Sequence, residues 1–147
     1  MDTYDDPELA ELMYREQILD HFKNPRNYGE LDGANATHKE SNPLCGDVIT
    51  ISLKIRDSKI KDIKFEGTGC AISQASASML TEKAQGITLT DTKKLVKEDI
   101  FELLNIPLSP IRMKCALLSL DTLKNTVKIY EEYGKKNEKL RNKRFTR

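Results

Sequence analysis

The spacing of apolar residues changes along this chain, and each change predicts a secondary-structure element. Between residues 49 and 55, isoleucine and leucine alternate with threonine, serine and lysine, which is the period of a strand with one buried face. A turn at Arg56-Asp57-Ser58 leads to a second run, Ile60 to Glu66. The two runs predict a β-hairpin.

A helical pattern precedes the hairpin. It runs from Pro7 to Phe22 and ends at Asn24-Pro25, because the residue before a proline is disfavoured in helical conformation. The stretch from 27 to 37, rich in Gly and Asn, predicts a connection. The apolar stripe of the predicted helix consists of Leu9, Leu12, Ile18, Leu19 and Phe22.

Helical patterns also follow the hairpin. Residues 71–86 predict a helix of small residues closed by Gly86, and two short helical pieces follow at 90–96 and 97–104. Ser109 as N-cap and Pro110 as first helical residue predict the start of a long amphipathic helix. Its apolar positions are Met113, Ala116, Leu120, Leu123, Val127 and Tyr130. Helix, strands and then helices favour an α+β fold over a parallel α/β sheet.

Composition narrows the class of protein. The chain has 147 residues, a length sufficient for one domain with a modest core. Of these residues, 38% are hydrophobic and 32% are charged. No apolar run approaches the roughly 18 residues that span a bilayer, so we expect no membrane partner. The first eleven residues lack Lys, Arg and an apolar block, unlike a secretory signal or transit peptide. We therefore expect a cytoplasmic protein.

Charge is unevenly distributed along the chain. The net charge is only +1, but acidic residues crowd the first eleven positions. We divide the chain into a single domain, 1–134, and a basic C-terminal tail, 135–147. A solvated helix end explains such a tail more simply than an anionic partner, and we expect no nucleic-acid partner. The basic residues of the tail are Lys135, Lys136, Lys139, Arg141, Lys143, Arg144 and Arg147.

Three cysteines carry the candidate chemistry, an odd number that argues against a disulfide framework. In Cys45-Gly46-Asp47, the glycine permits a conformation in which a thiolate and a carboxylate converge on one ion. The alternative, which this tripeptide alone favours, is a glycine turn with Asp47 bonded to nearby backbone.

The other two cysteines lie at predicted helix starts. Cys70 opens a helix, where free N–H groups lower a thiol's pKa, so it is a candidate nucleophile or ligand and equally a small core residue. Cys115 follows Arg112 by three residues and Lys114 by one, and two cations favour a thiolate. Its neighbours Ala116 and Leu117 are core candidates, which favours a packing role for Cys115 in isolation.

The spacing of the three cysteines excludes a local motif. Cys45 and Cys70 lie 25 residues apart, and Cys70 and Cys115 lie 45 apart, unlike the CxxC of zinc fingers or thioredoxins. A shared site therefore exists only if the fold assembles it. Thiolates with one carboxylate suit iron-sulfur chemistry or zinc.

Four segments of this chain resemble, in order, those of the U-type iron-sulfur assembly proteins, the group of IscU, SufU and the N-terminal domain of NifU. They are YREQILDHFKNPRNYGELDG, NPLCGDVITISLKI, IKFEGTGCAISQASASMLTE and IRMKCALLSLDTL. The resemblance implies a SufE/NifU-like α+β fold, with a small antiparallel three-stranded sheet packed against helices. Its first strand falls around residues 34–42, which the apolar pattern does not reveal.

The resemblance also implies a function. A scaffold receives sulfur from a cysteine desulfurase and iron, assembles a transient [2Fe-2S] cluster on Cys45, Asp47, Cys70 and Cys115, and transfers it to acceptor apo-proteins. It is not an enzyme in this role. Cys115 is the candidate persulfide acceptor. The alternative is a SufU-type sulfurtransferase, which holds Zn2+ at the same residues and stimulates its desulfurase.

Some positions depart from the family pattern. Lys114 stands where the IscU branch has a histidine ligand, and neither His21 nor His38 matches that position; we expect a structural or surface role for His21. Arg112 and Lys114 fit the SufU branch and lie beside the site residues. The segment 108–112 matches the IscU chaperone-docking sequence only in part. A homodimer could shield the site, with Leu9, Leu12 and Tyr14 as candidate contacts.

Overall fold

The computed structural model describes residues 7–134, so both the acidic residues before Pro7 and the basic tail 135–147 lie outside the described residues. Five helices and three strands make up the described part, which closes with a π-helical turn at Tyr130–Gly134. The elements are α1 (Pro7–Lys23), β1 (Ala36–Asn42), β2 (Asp47–Arg56), β3 (Lys59–Thr68), α2 (Ala71–Ala84), α3 (Leu89–Lys94), α4 (Lys97–Leu104) and α5 (Pro110–Ile129).

The three strands form one antiparallel sheet in the order β1-β2-β3. The predicted hairpin is β2 and β3, and its turn residues Asp57 and Ser58 both have positive φ angles, of 55° and 58°, as a tight two-residue hairpin turn requires. Residues 47, 49, 51, 53 and 55 of β2 are all buried, whereas those between them are half-buried. Helices α2 and α5 pack against the sheet, which confirms the α+β fold.

The apolar pattern of the sequence did not reveal strand β1. Its sequence, ATHKESN, contains one buried residue, Ala36. As an edge strand it needs few apolar side chains, because β2 supplies its hydrogen bonds on one side. Glu40 also accepts a hydrogen bond from Asn125 of α5, at 2.6 Å.

Helix α2 lies close to α5 because its side chains are small. Every residue from Ser73 to Thr81 is buried. The Ser76 hydroxyl donates to the backbone oxygen of Ala116, at 2.7 Å, and lies 3.1 Å from the hydroxyl of Ser119. Gly86, with φ of +83°, follows the helix end as predicted.

The predicted apolar stripe of α1 is only partly buried, and this corrects the sequence analysis. Ile18 and His21 are the buried residues of α1, whereas Leu12, Leu19 and Phe22 are 58%, 48% and 40% exposed. His21 is buried although these apolar side chains are not, because it has a polar partner in the core. Its Nδ1 lies 2.8 Å from the Ser78 hydroxyl, which confirms a structural role.

Helix α5 begins as predicted. The Ser109 hydroxyl accepts a hydrogen bond from the backbone N–H of Arg112, at 3.3 Å. The predicted apolar positions are largely buried, but Met113 is 39% exposed, because the first turn of α5 projects beyond the core. Among residues 7–134 we find no helix long and apolar enough to cross a membrane.

Candidate metal and cluster site

The four predicted site residues meet where three elements begin. Cys45 lies in the loop between β1 and β2, and Asp47 is the first residue of β2. Cys70 is the N-cap of α2, and Cys115 lies in the second turn of α5. Since β2 and β3 pair with Val48 opposite Thr68, the start of β2 lies beside the start of α2.

Three of these residues bring their ligand atoms together. The sulfurs of Cys45 and Cys115 lie 3.0 Å apart, and each lies within 4.8 Å of a carboxylate oxygen of Asp47. Asp47 and Cys115 are fully buried, whereas Cys45 is half-buried. Cys70 stands beside this group without belonging to it, with its sulfur 3.9 Å from Asp47 Oδ2.

Asp47 converges with Cys45 as the first sequence-based arrangement requires, and its carboxylate bonds to backbone far along the chain rather than to the nearby backbone that the alternative required. Its Oδ1 accepts a hydrogen bond from the backbone N–H of Cys70, at 2.8 Å, 23 residues away. The local turn depends instead on Asn42, whose side chain accepts from Leu44 N–H and whose backbone oxygen accepts from Cys45 and Gly46. Asn42 is a positioning residue that the sequence analysis missed.

A signal for Asp47 was present in the sequence. It stands two residues before Ile49, in phase with the buried positions of β2. A carboxylate at an inward position is costly unless it is paired or bound to a metal. Its phase therefore separates it from an ordinary surface aspartate.

The electrostatics of Cys115 differ from the prediction. Burial, followed by the neighbouring Cys45, Asp47 and Cys70 side chains, raises the pKa of the Cys115 thiol well above its usual range. The expected cations do not offset this, because Arg112 and Lys114 are both exposed. Arg112 still interacts with both sulfurs, since Cys70 first and then Cys115 raise the pKa of its guanidinium.

Exposed apolar side chains surround the site. Leu44, next to Cys45, is 71% exposed, and Ile111, in the first turn of α5, is 60% exposed. Apolar surface therefore lies beside the site. Neither histidine belongs to it, because His21 contacts Ser78 and His38 lies 3.5 Å from Glu40.

The donor set fits a thiophilic metal or a cluster. Two sulfurs and one carboxylate oxygen converge, with a third sulfur next to the carboxylate. Thiolates select zinc or iron-sulfur centres, and a carboxylate is a harder oxygen ligand.

Known proteins similar to this chain identify its family. The family described as "NifU-like N terminal domain" matches residues 13–138. This chain belongs to that family. The residues that match the NifU-like N-terminal domain include the positions of all four candidate site residues.

Two relatives and one solved structure illustrate the family. The chain is 38% identical to the iron-sulfur cluster assembly scaffold protein IscU 1 of Archaeoglobus fulgidus over 128 residues, 87% of this chain and 81% of that protein. It is 38% identical to IscU of Thermotoga maritima over 136 residues, 82% of this chain and 96% of that protein.

The solved structure is an iron-sulfur cluster assembly scaffold protein for the SUF system, from Fervidobacterium islandicum AW-1. It matches with a TM-score of 0.69 and 30% identity over 80% of this chain and 98% of that chain. The NifU-like fold expected from the sequence is confirmed.

Proposed function

We propose that this NifU-like domain is an iron-sulfur cluster assembly scaffold in the cytoplasm. The observation that supports it most is the convergence of ligand atoms from Cys45, Cys115 and Asp47 within 4.8 Å, in a chain whose relatives bear scaffold names. Residues 1–134 form the domain in this proposal, and 135–147 form a basic tail.

The cluster is the cargo, and four residues would hold it. Cys45, Cys70 and Cys115 supply thiolates, and Asp47 supplies one carboxylate oxygen. Because oxygen is a harder and weaker partner for iron than sulfur, Asp47 is the ligand that exchanges when an acceptor protein takes the cluster. Arg112, which interacts with Cys70 and Cys115, lowers the repulsion between thiolates; Lys114 adds a second exposed cation.

Sulfur would arrive as a persulfide on a cysteine desulfurase. A site thiolate attacks the outer sulfur, a new S–S bond forms, and the desulfurase cysteine leaves as a thiolate. We propose Cys115 as the acceptor. Because its side chain is fully buried and burial raises the pKa of its thiol, docking of the desulfurase has to open the site so that the thiol can lose its proton to solvent before it attacks. The apolar surface at Leu44 and Ile111 is a suitable contact for this.

A second candidate function uses the same residues. In a SufU-type sulfurtransferase, Zn2+ is held by the three cysteines and Asp47, and the protein stimulates its desulfurase. Lys114, where the IscU branch has a histidine, favours this candidate.

Metal content separates the two functions. After anaerobic purification and reconstitution, a scaffold should hold about two irons with matching sulfide and show visible charge-transfer bands. One colourless zinc that resists exchange by iron and sulfide would contradict the scaffold and favour the sulfurtransferase. Desulfurase turnover that rises on adding the wild type but not Cys115→Ser would support the second function.

A further inference from the structure

Gly69 lies against Asp47 so closely that no other residue fits. Its φ is +141°, a backbone conformation that favours glycine. A Cβ at this position would lie 2.2 Å from Asp47 Oδ1 and 2.9 Å from Asp47 Cα. Space and backbone conformation therefore both require glycine immediately before Cys70.

This close approach holds one oxygen of the Asp47 carboxylate. Oδ1 accepts the hydrogen bond from the Cys70 N–H at 2.8 Å, and Asp47 is fully buried. Cys70 is the N-cap of the 14-residue α2 and makes no side-chain cap of its own. The carboxylate therefore also places negative charge at the start of α2, where it is favourable.

The other oxygen lies next to the Cys70 thiol. Oδ2 lies 3.9 Å from the sulfur of Cys70, and the carboxylate is within 4.8 Å of the two remaining sulfurs. Oδ1 already has one lone pair engaged by the backbone amide, so Oδ2, next to a thiol, is the more available oxygen for a metal or cluster.

We propose that Gly69 is a positioning residue that makes Asp47 a ligand through one oxygen only. The proposal deepens the proposed function and rests on its assignment of Asp47 as a ligand. The amide of Cys70 bonds Oδ1 whether or not Oδ2 is bound. When the cargo leaves, the carboxylate keeps a partner, which lowers the cost of losing the ligand and suits a site that releases what it binds.

The test uses Co2+ as probe, because its visible spectrum reports the ligand set. Gly69→Ala should weaken Co2+ binding about 10–100-fold, as loss of a residue supporting a ligand does, and should change the visible bands. Gly29→Ala is the matched control: its φ is +125° and nothing lies within 4 Å of an added Cβ. It should lower stability and leave the Co2+ spectrum and affinity unchanged.

An Asp47→Ala background decides whether Gly69 acts through Asp47. There the added Cβ no longer meets a carboxylate, although it still meets the Cα of residue 47, so Gly69→Ala should cost clearly less Co2+ affinity than it does with Asp47 present. An undiminished loss in this background, or a wild-type spectrum for Gly69→Ala, would overturn the proposal.

A measurement on the wild type does not depend on any variant folding. The Cys70 amide proton should exchange slowly with solvent in both the metal-free and the Zn2+-loaded protein. Faster exchange on loading would mean that the metal takes Oδ1, which contradicts the proposal. Neither experiment uses iron, sulfide or a desulfurase, so both outcomes stand if the scaffold function itself fails.

Discussion

Replacing Asp47 by alanine should lower the stability of the fold and lengthen the life of a bound cluster. Both effects have their origin in the same carboxylate. Oδ1 is the acceptor for the Cys70 N–H, and the alanine leaves that amide without it. Oδ2 is the proposed exchangeable ligand, and its loss removes the ligand that an acceptor protein displaces first.

The loss of stability follows from the buried hydrogen bond. An amide left without its acceptor costs about 1–3 kcal/mol, and loss of negative charge at the start of α2 costs a further ~0.3–1 kcal/mol. Relief of the cost of burying a carboxylate acts in the opposite direction. We expect a net loss of about 2 kcal/mol, or about 1 M in the urea midpoint for a slope near 2 kcal/mol per M.

Asp47→Asn is the control that separates the two effects. Its amide oxygen can still accept from Cys70, so metal-free Asp47→Asn should lose less than about 1 kcal/mol. Urea unfolding of the metal-free proteins measures this term. Anaerobic decay of visible absorbance measures cluster lifetime, and both variants should decay more slowly than the wild type. Equal losses of stability in the two variants would refute the hydrogen-bond explanation, and faster decay would refute the release role.

Three further outcomes are expected. Burial is the largest cause of the lowered pKa of His21 in the folded protein. As the pH falls, His21 is therefore protonated in the unfolded chain before it is protonated in the folded one. The stability contributed by neutral His21 is complete above about pH 6.5 and decreases below that pH. Urea midpoints across that range should show this, and His21→Gln should flatten the slope. Cys115→Ser should abolish the mass increase of one sulfur after incubation with desulfurase and cysteine, whereas retained persulfide would move the acceptor to Cys45 or Cys70. Asn35→Ala removes two hydrogen bonds to the backbone of Ile55, at 2.7 and 2.9 Å, and should cost about 1–3 kcal/mol in thermal unfolding; an unchanged midpoint would contradict that value.

The local elements were readable from short stretches of sequence. Strand β2 can be predicted because one of its faces is more buried than the other, which produces an apolar period of two from Ile49 to Ile55. The start of α5 can also be predicted from local sequence, since Ser109 caps a free N–H of the first turn and Pro110 is favoured as the first helical residue. Strand β1 was not predicted from the apolar pattern, because an edge strand takes its stability from backbone pairing with β2.

The faces of the helices were less predictable. The apolar spacing of α1 suggested that Leu12 and Leu19 face the core, but that side of the helix is exposed. The buried face of a helix depends on the side chains of the helix it packs against, and here His21 is buried because it forms a hydrogen bond with Ser78 of α2. The α1 sequence alone gives no indication of this partner.

Short stretches of sequence specify the local elements and the three thiols, and the family resemblance supplies the candidate set of site residues. How these residues meet depends on the packed fold: Cys45 lies beside Cys115, Cys70 lies outside that group, and a backbone amide 23 residues away holds one Asp47 oxygen. The cause is distance along the chain. Element propensities act within a few residues, whereas contacts across 23 to 70 residues exist only after the sheet and helices have packed.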